Sequence, residues 1–223
     1  MRPKTRRQVR LLGGFGLYFV CLWLLWNTPL VYPLQVFVVF LHEISHGAAA
    51  LATGGSIQRI TLNPRLGGAC YCPGGNAFLT LSAGYLGSLI WGAAIFEVGR
   101  KAGRRAPAIT GAIGVAVLVL TLLFVRSAFG ILFGLLFGAF LLVLARRLSI
   151  QTNRTALLVI GLTSCLYAVL DIKSDVLDRS HLPSDAYMLS QLTGVPTVIW
   201  GFVWISVAIG VSGWLLRRAY RDA

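Results

Sequence analysis

Seven long apolar runs dominate the sequence and constrain its fold more than any other feature. They cover residues 11–26, 30–52, 78–98, 108–125, 127–145, 155–170 and 195–216. About 20 apolar residues are enough for a helix to cross a bilayer. The runs are continuous rather than short and alternating, which argues against a β-barrel. We therefore predict an all-α polytopic membrane protein with six or seven transmembrane segments.

The charged residues are few, mostly basic, and placed between the apolar runs. Hydrophobic residues make up 57% of the 223 residues, charged residues make up 12%, and the formal net charge is +13. The basic clusters lie at 1–10, 100–105, 146–154 and 217–221, which is the pattern of cytoplasmic loops. No folded basic face is available for a nucleic acid, so we expect the lipid bilayer as a partner and no nucleic acid.

The basic clusters also predict how the chain is organised. Residues 1–10 form a basic cytoplasmic tail, and residues 11–223 form a single integral-membrane domain. Three apolar runs separate the first two basic clusters, and an odd number of crossings cannot return the chain to the same side. Either one segment before residue 99 is re-entrant or partly inserted, or one cluster violates the rule. We expect a multi-pass protein of a bacterial plasma membrane with both termini cytoplasmic.

One apolar run, residues 30–52, contains the stretch His42-Glu43-Ile44-Ser45-His46. Ionisable side chains are costly at membrane depth, so their presence there indicates function. Residues four apart lie on the same face of a helix, and two histidines so spaced can bind one metal ion beside a glutamate that acts on water. We predict His42 and His46 as metal ligands and Glu43 as the catalytic base, with a chance occurrence as the alternative.

Residues 53–77 interrupt the helical pattern. Thr53-Gly54-Gly55 is typical of a helix end, and the residues that follow predict a short β-hairpin with strands at 57–62 and 69–72. A hairpin next to a metal site could bind an extended peptide by adding it as a strand to its edge. A plain connecting loop is the alternative interpretation.

A catalytic zinc usually has three protein ligands and one open position, so a third ligand is required. Four of the seven acidic residues lie close together, at Asp171, Asp175, Asp178 and Asp185. Asp171 ends an apolar run and is best placed to reach membrane depth, so it is the predicted ligand. Asp175 and Asp185 are the alternatives, although Ser184 before Asp185 also fits a cap for a helix at 185–192.

With these residues in view, the sequence resembles the site-2 protease family of intramembrane zinc metallopeptidases, in its small B-like subgroup. The matching stretches are 41–47, 53–55, 83–87, 167–171, 184–186 and 192–196. The resemblance implies that His42, His46 and a distant aspartate bind zinc while Glu43 activates water. The family's better-known aspartate lies in a Leu-Asp-Gly context, whereas this chain has Leu170-Asp171-Ile172, so the choice between Asp171 and Asp175 stays open.

The resemblance also implies an activity for the membrane domain. It implies a zinc metalloendopeptidase that hydrolyses a peptide bond in or near a transmembrane segment of a membrane-protein substrate. The alternatives are a metal or ion transporter of the same fold and a catalytically silent protein that binds a membrane partner. The presence of Glu43 favours the enzyme over the silent protein, and the lack of a second histidine motif argues against an internally repeated transporter. The sequence does not predict which residues bind the substrate.

Overall fold

The computed structural model describes residues 3–173, 176 and 184–222, and it is predominantly helical. The helices are α1 Pro3–Leu25, α2 Tyr32–Ala52, α3 Ala77–Lys101, α4 Ala106–Phe124, α5 Ala128–Arg147, α6 Ile150–Lys173, α7 Asp185–Thr193 and α8 Thr197–Asp222. Two strands, β1 Arg59–Asn63 and β2 Gly67–Tyr71, follow α2. Within the described residues, six helices are long and apolar enough to cross a membrane: α2, α3, α4, α5, α6 and α8. The predicted all-α polytopic membrane fold is confirmed.

Most helices begin and end where the sequence carries the appropriate local signals. A proline opens α2, where a missing backbone N–H costs nothing. The side chains of Asn76, Ser127 and Ser184 accept backbone N–H bonds at the starts of α3, α5 and α7. After α2 the chain turns at Gly54, whose φ of +88° lies in the region that favours glycine. The hydrogen bond accepted by Ser184 confirms the predicted cap of α7.

The predicted hairpin is present and is attached to the helix bundle. β1 and β2 pair antiparallel, with Arg59 opposite Tyr71 and Asn63 opposite Gly67. Backbone groups of Leu62 exchange two hydrogen bonds of 2.9 Å with the Ser127 hydroxyl at the start of α5. Burial of Leu62, which is 2% exposed, adds an apolar contact to this attachment. The hairpin is thus held in a defined position rather than forming a loose loop.

Glycines let the helices of the bundle approach one another closely. Gly92 of α3 and Gly161 of α6 face each other, so that a Cβ on Gly161 would lie 2.7 Å from the Gly92 carbonyl oxygen. On α5, Gly134 lies against Thr121 and Gly138 lies against Leu118 of α4. Small residues in membrane helices commonly have this role, because they bring backbones into van der Waals contact.

The basic residues of several elements meet at one end of the bundle. Glu97 near the end of α3 pairs with Arg100, Lys101 and Arg218 at 3.0–3.1 Å, which joins α3 to the end of α8. The start of α1 lies at the same end, because the Gln8 side chain donates to the Tyr220 carbonyl. The Arg154 side chain donates to the Arg100 carbonyl at 3.0 Å, so residues in or next to all four predicted cytoplasmic clusters are in contact.

The ends of α1, α2 and α3 bear on the odd number of apolar runs before residue 99. Helices α1 and α3 both have one end among the basic residues, so their other ends point away from it. Helix α2 follows the far end of α1 and finishes beside the far end of α3, where the Asn76 N–H donates to the Thr53 hydroxyl at 2.9 Å. The re-entrant or partly inserted segment before residue 99 stays a prediction.

We predict that Gly161→Ala destabilises the protein because the added methyl would collide with the α3 backbone at Phe96 and Gly92. Overpacking of this kind costs about 1–3 kcal/mol. Thermal unfolding of purified protein in detergent measures the effect. Gly210→Ala in α8 is the matched control, because nothing lies within 4 Å of its added Cβ. Equal melting temperatures for the two variants would contradict the proposed close α3–α6 contact.

Candidate metal centre

Helix α2 presents both predicted histidines on one face. It is the most buried of the six candidate spans. The rings of His42 and His46 lie one helical turn apart, with their centroids separated by 4.7 Å. Between them Ser45 satisfies its hydroxyl within the helix, donating to the Leu41 carbonyl at 2.6 Å. The imidazoles of His42 and His46 are therefore the side chains on this face of α2 that can bind a metal ion.

A carboxylate from α7 meets the two imidazoles. Oδ2 of Asp185 lies 2.8 Å from Nε2 of His42 and 3.1 Å from Nε2 of His46. One ligand atom from each of the three residues can be chosen so that all lie within 4.8 Å of one another. Asp185 is the first residue of α7, so the Ser184 cap that fixes the start of this helix also fixes the position of the carboxylate.

The other nitrogen of each imidazole faces an acceptor. Nδ1 of His46 lies 2.7 Å from the Thr80 carbonyl oxygen, which can only accept, so Nδ1 carries the proton and Nε2 keeps its lone pair. Nδ1 of His42 faces the Asp171 carboxylate, with Oδ2 at 3.9 Å. Such partners orient the rings of metal-binding histidines and set their tautomers.

The structure places the three candidate aspartates differently. Asp185 lies against both Nε2 atoms, where a shared ligand is needed, whereas Asp171 lies on the Nδ1 side of His42. Asp175 lies outside the described residues, as does Asp178. The described geometry thus supports Asp185, an alternative in the sequence analysis, more than Asp171, which was preferred there.

Glu43 lies beneath strand β2, next to the two histidines. Its side chain is 5% exposed, and the carboxylate lies near the Cys70 backbone N–H. Gly68 passes so close that a Cβ on this residue would lie 2.5 Å from Oε1 of Glu43. The hairpin therefore covers the glutamate, and only a residue without a side chain fits at this crossing.

Glycines of α3 allow the same close approach from the opposite side. A Cβ on Gly84 would collide with the His42 ring and would lie 2.6 Å from Oδ2 of Asp185. One turn further on, a Cβ on Gly87 would collide with Ser45. The stretch 83–87 of α3 therefore packs closely against α2. What the sequence did not predict is that Gly84 makes room for two of the candidate ligands, His42 and Asp185.

The site opens into a cavity of about 720 Å³. Its walls come from α2, the hairpin, the start of α3, the end of α6 and α7. The residues of the site that line it are His42, Glu43, His46, Thr80, Tyr85, Asp171 and Asp185. This volume is within the usual range for small-molecule and peptide sites. A substrate segment and water could therefore reach the histidines and the glutamate from one space.

The residues present fit a zinc ion. Two imidazole nitrogens and one carboxylate oxygen are a common ligand set of catalytic zinc, which leaves a fourth position open. Imidazole ligands favour zinc and related transition metals over magnesium and calcium, which prefer oxygen atoms alone. The Thr80 carbonyl is bonded to Nδ1 of His46, as the outer partners of metal-binding histidines normally are, and the Asp171 carboxylate lies 3.9 Å from Nδ1 of His42.

Fold and site together define a polytopic membrane protein with a metallopeptidase-type centre. The family model for Peptidase M50B-like proteins matches residues 15–215 of the chain, which is most of its length. The chain therefore belongs to this family, the membrane metallopeptidases of the site-2 protease type. No curated protein and no solved structure matches the chain. The family resemblance inferred from the sequence is confirmed.

We predict that Gly84→Ala lowers metal binding, because the added methyl would displace the His42 ring and the Asp185 carboxylate. Metal content per purified protein, measured by elemental analysis, should fall at least about tenfold, the lower end for disturbing ligand support. Gly87→Ala is the matched control, since it crowds the same two helices at Ser45 but touches no candidate ligand. Equal metal loss in both variants would show that helix packing alone is responsible.

Proposed function

We propose that this protein is a zinc metalloendopeptidase that hydrolyses a peptide bond in or near a transmembrane segment of a membrane-protein substrate. The observation that carries the proposal is the convergence of His42, His46 and Asp185 beside Glu43 in one cavity. Zinc held by these three side chains would supply Lewis-acid activation of a water molecule and of a peptide carbonyl. The family membership of the chain supports the same reaction class.

In this proposal Glu43 is the general base. It takes a proton from the attacking water and passes it to the departing amine of the substrate. Its burial beneath β2 keeps bulk water from competing for the carboxylate, and the Cys70 N–H lies near the carboxylate. Glu43 lines the cavity but does not lie against both Nε2 atoms, as Asp185 does. Its position therefore suits a general base better than a metal ligand.

We further propose Asp185, and not Asp171, as the third zinc ligand. One oxygen of Asp185 already lies near both Nε2 atoms, at 2.8 Å from that of His42 and 3.1 Å from that of His46. Asp171 faces the opposite nitrogen of His42 and orients that ring. In this proposal Asp185 binds the metal directly, and Asp171 lies on the other side of the His42 ring from the metal.

The substrate would lie extended next to strand β2. In the sheet, β2 pairs on one side with β1. Residues Gly67, Gly68, Ala69 and Cys70 of β2 also line the cavity that contains the candidate ligands. A peptide that adds to a strand edge forms backbone hydrogen bonds along its length, which requires its own helix to unwind. This arrangement would expose the scissile bond to Glu43.

We predict that Glu43→Gln abolishes hydrolysis and leaves metal binding intact, because the amide keeps the shape of the side chain but cannot accept the proton. The loss should be about 10²–10⁴-fold, the usual contribution of a general base. Cleavage of a panel of single-span membrane peptides in proteoliposomes is measured together with zinc content. Cleavage that survives the substitution would contradict the role of Glu43. Zinc binding without any cleavage by the unchanged protein would favour a silent, partner-binding relative.

We predict that Asp185→Asn reduces zinc affinity more than Asp171→Asn does. Loss of an outer partner typically costs about 10–100-fold in metal affinity, and loss of a direct ligand should exceed that. Competition with a fluorescent zinc chelator gives both affinities on folded protein. The reverse order would return the ligand assignment to Asp171.

A further inference from the structure

We propose that the Thr80 hydroxyl is a substrate-binding group, which donates a hydrogen bond to a backbone carbonyl of the peptide in the cavity. This inference rests on the proposed peptidase function and adds a residue to it. No sequence pattern singled out Thr80. Thr80 is instead identified by its position in the cavity wall and by its hydroxyl, which forms no hydrogen bond with a described residue.

Thr80 lies in the first turn of α3 and is in direct contact with the metal centre. Its backbone carbonyl accepts a hydrogen bond from His46, with 2.7 Å between the oxygen and Nδ1. Its own backbone N–H donates to the Asn76 carbonyl at 2.9 Å, in the regular helical pattern. The residue also lines the cavity shared by the histidines and Asp185. The backbone of Thr80 is therefore fully used, and the side chain stands beside the reaction site.

The Thr80 hydroxyl has no protein partner among the described residues. Its Oγ1 atom is buried and forms no hydrogen bond there. Other helical hydroxyls of the chain donate to the carbonyl four residues earlier, as in Ser45, Thr110 and Ser164, at 2.6–3.0 Å. The Thr80 hydroxyl does not form this hydrogen bond. No described residue therefore uses its donor.

Thr121 shows what an unpartnered hydroxyl looks like where no ligand can enter. Its Oγ1 is also buried and without a hydrogen bond within the described part of the chain. However, it is packed against Gly134 between α4 and α5 and does not line the site cavity. Thr121 thus fills a gap between helices, whereas Thr80 belongs to the wall of the site cavity.

The chemistry of an extended peptide matches this donor. Buried polar groups are nearly always hydrogen-bonded, so the Thr80 hydroxyl binds either water or an incoming ligand. A peptide that displaces the water must replace its hydrogen bond, or binding is weakened. Strand-like backbone presents carbonyl oxygens at regular intervals, and one of these would accept a hydrogen bond from the Thr80 hydroxyl. The hydroxyl would therefore contribute to affinity for the backbone and not for any particular side chain.

The test uses three zinc-binding probes on the zinc-loaded protein, measured as dissociation constants. One is acetohydroxamate, which has no peptide backbone, and two are peptide hydroxamates that extend from the metal-binding group in opposite chain directions. Thr80→Val keeps the size of the side chain and removes only the hydroxyl. We expect it to weaken at least one peptide hydroxamate about 3- to 10-fold, the usual range for one hydrogen bond, and to leave acetohydroxamate unchanged. Thr80→Ser should restore the binding.

Two controls separate this inference from a structural effect and from the peptidase proposal itself. Thr121→Val removes a similarly unpartnered hydroxyl away from the cavity and should leave all three constants unchanged. Zinc content of Thr80→Val should equal that of the unchanged protein, because the Thr80 carbonyl still holds His46. Unaltered binding of both peptide hydroxamates, or equal weakening of acetohydroxamate, would overturn the role of Thr80. Zinc-independent binding of every probe to the unchanged protein would instead contradict the zinc peptidase proposal.

Discussion

The burial of two imidazoles and two carboxylates inside an apolar helix bundle is the constraint on which the rest of the structure depends. Unpaired polar groups in such an environment cost several kilocalories per mole each. The chain meets this cost by giving each group a fixed partner. His46 has the Thr80 carbonyl, Glu43 lies near the Cys70 N–H, and Asp185 faces both histidines. The partners come from α3, the hairpin and α7, so satisfying the site also determines how these elements pack on α2.

Close packing around the site requires positions without side chains. Gly84 of α3 leaves room for the His42 ring, and Gly68 of β2 leaves room for the Glu43 carboxylate. Backbone is thereby brought against functional side chains from two directions. The remaining opening is the cavity bounded by β2, the start of α3 and α7. The candidate catalytic groups are thus shielded on the sides where backbone lies, and they are accessible from the cavity.

Local patterns in the sequence predicted much of this arrangement. The histidine spacing, the apolar runs, the Ser184 cap and the hairpin depend on residues close together in the chain, and the structure contains each of them. The proposed role of Asp185 depends on how α7 packs against α3, which no local pattern reports. Asp171 was preferred because it ends an apolar run, yet depth alone does not determine which nitrogen of His42 a carboxylate faces. The Thr80 carbonyl could not be predicted either, since every residue type carries a backbone acceptor.

The three proposed zinc ligands come from two helices that are far apart in the chain, α2 and α7. A metal ion shared between them is therefore also a cross-link, closing a loop of more than a hundred residues. Cross-links that close long loops restrict the unfolded chain most, and binding energy at a site formed only by folding adds to the stability of the fold. On the proposed assignment, loading the metal and docking α7 on the bundle are one event, so maturation of the enzyme and completion of its fold would be coupled.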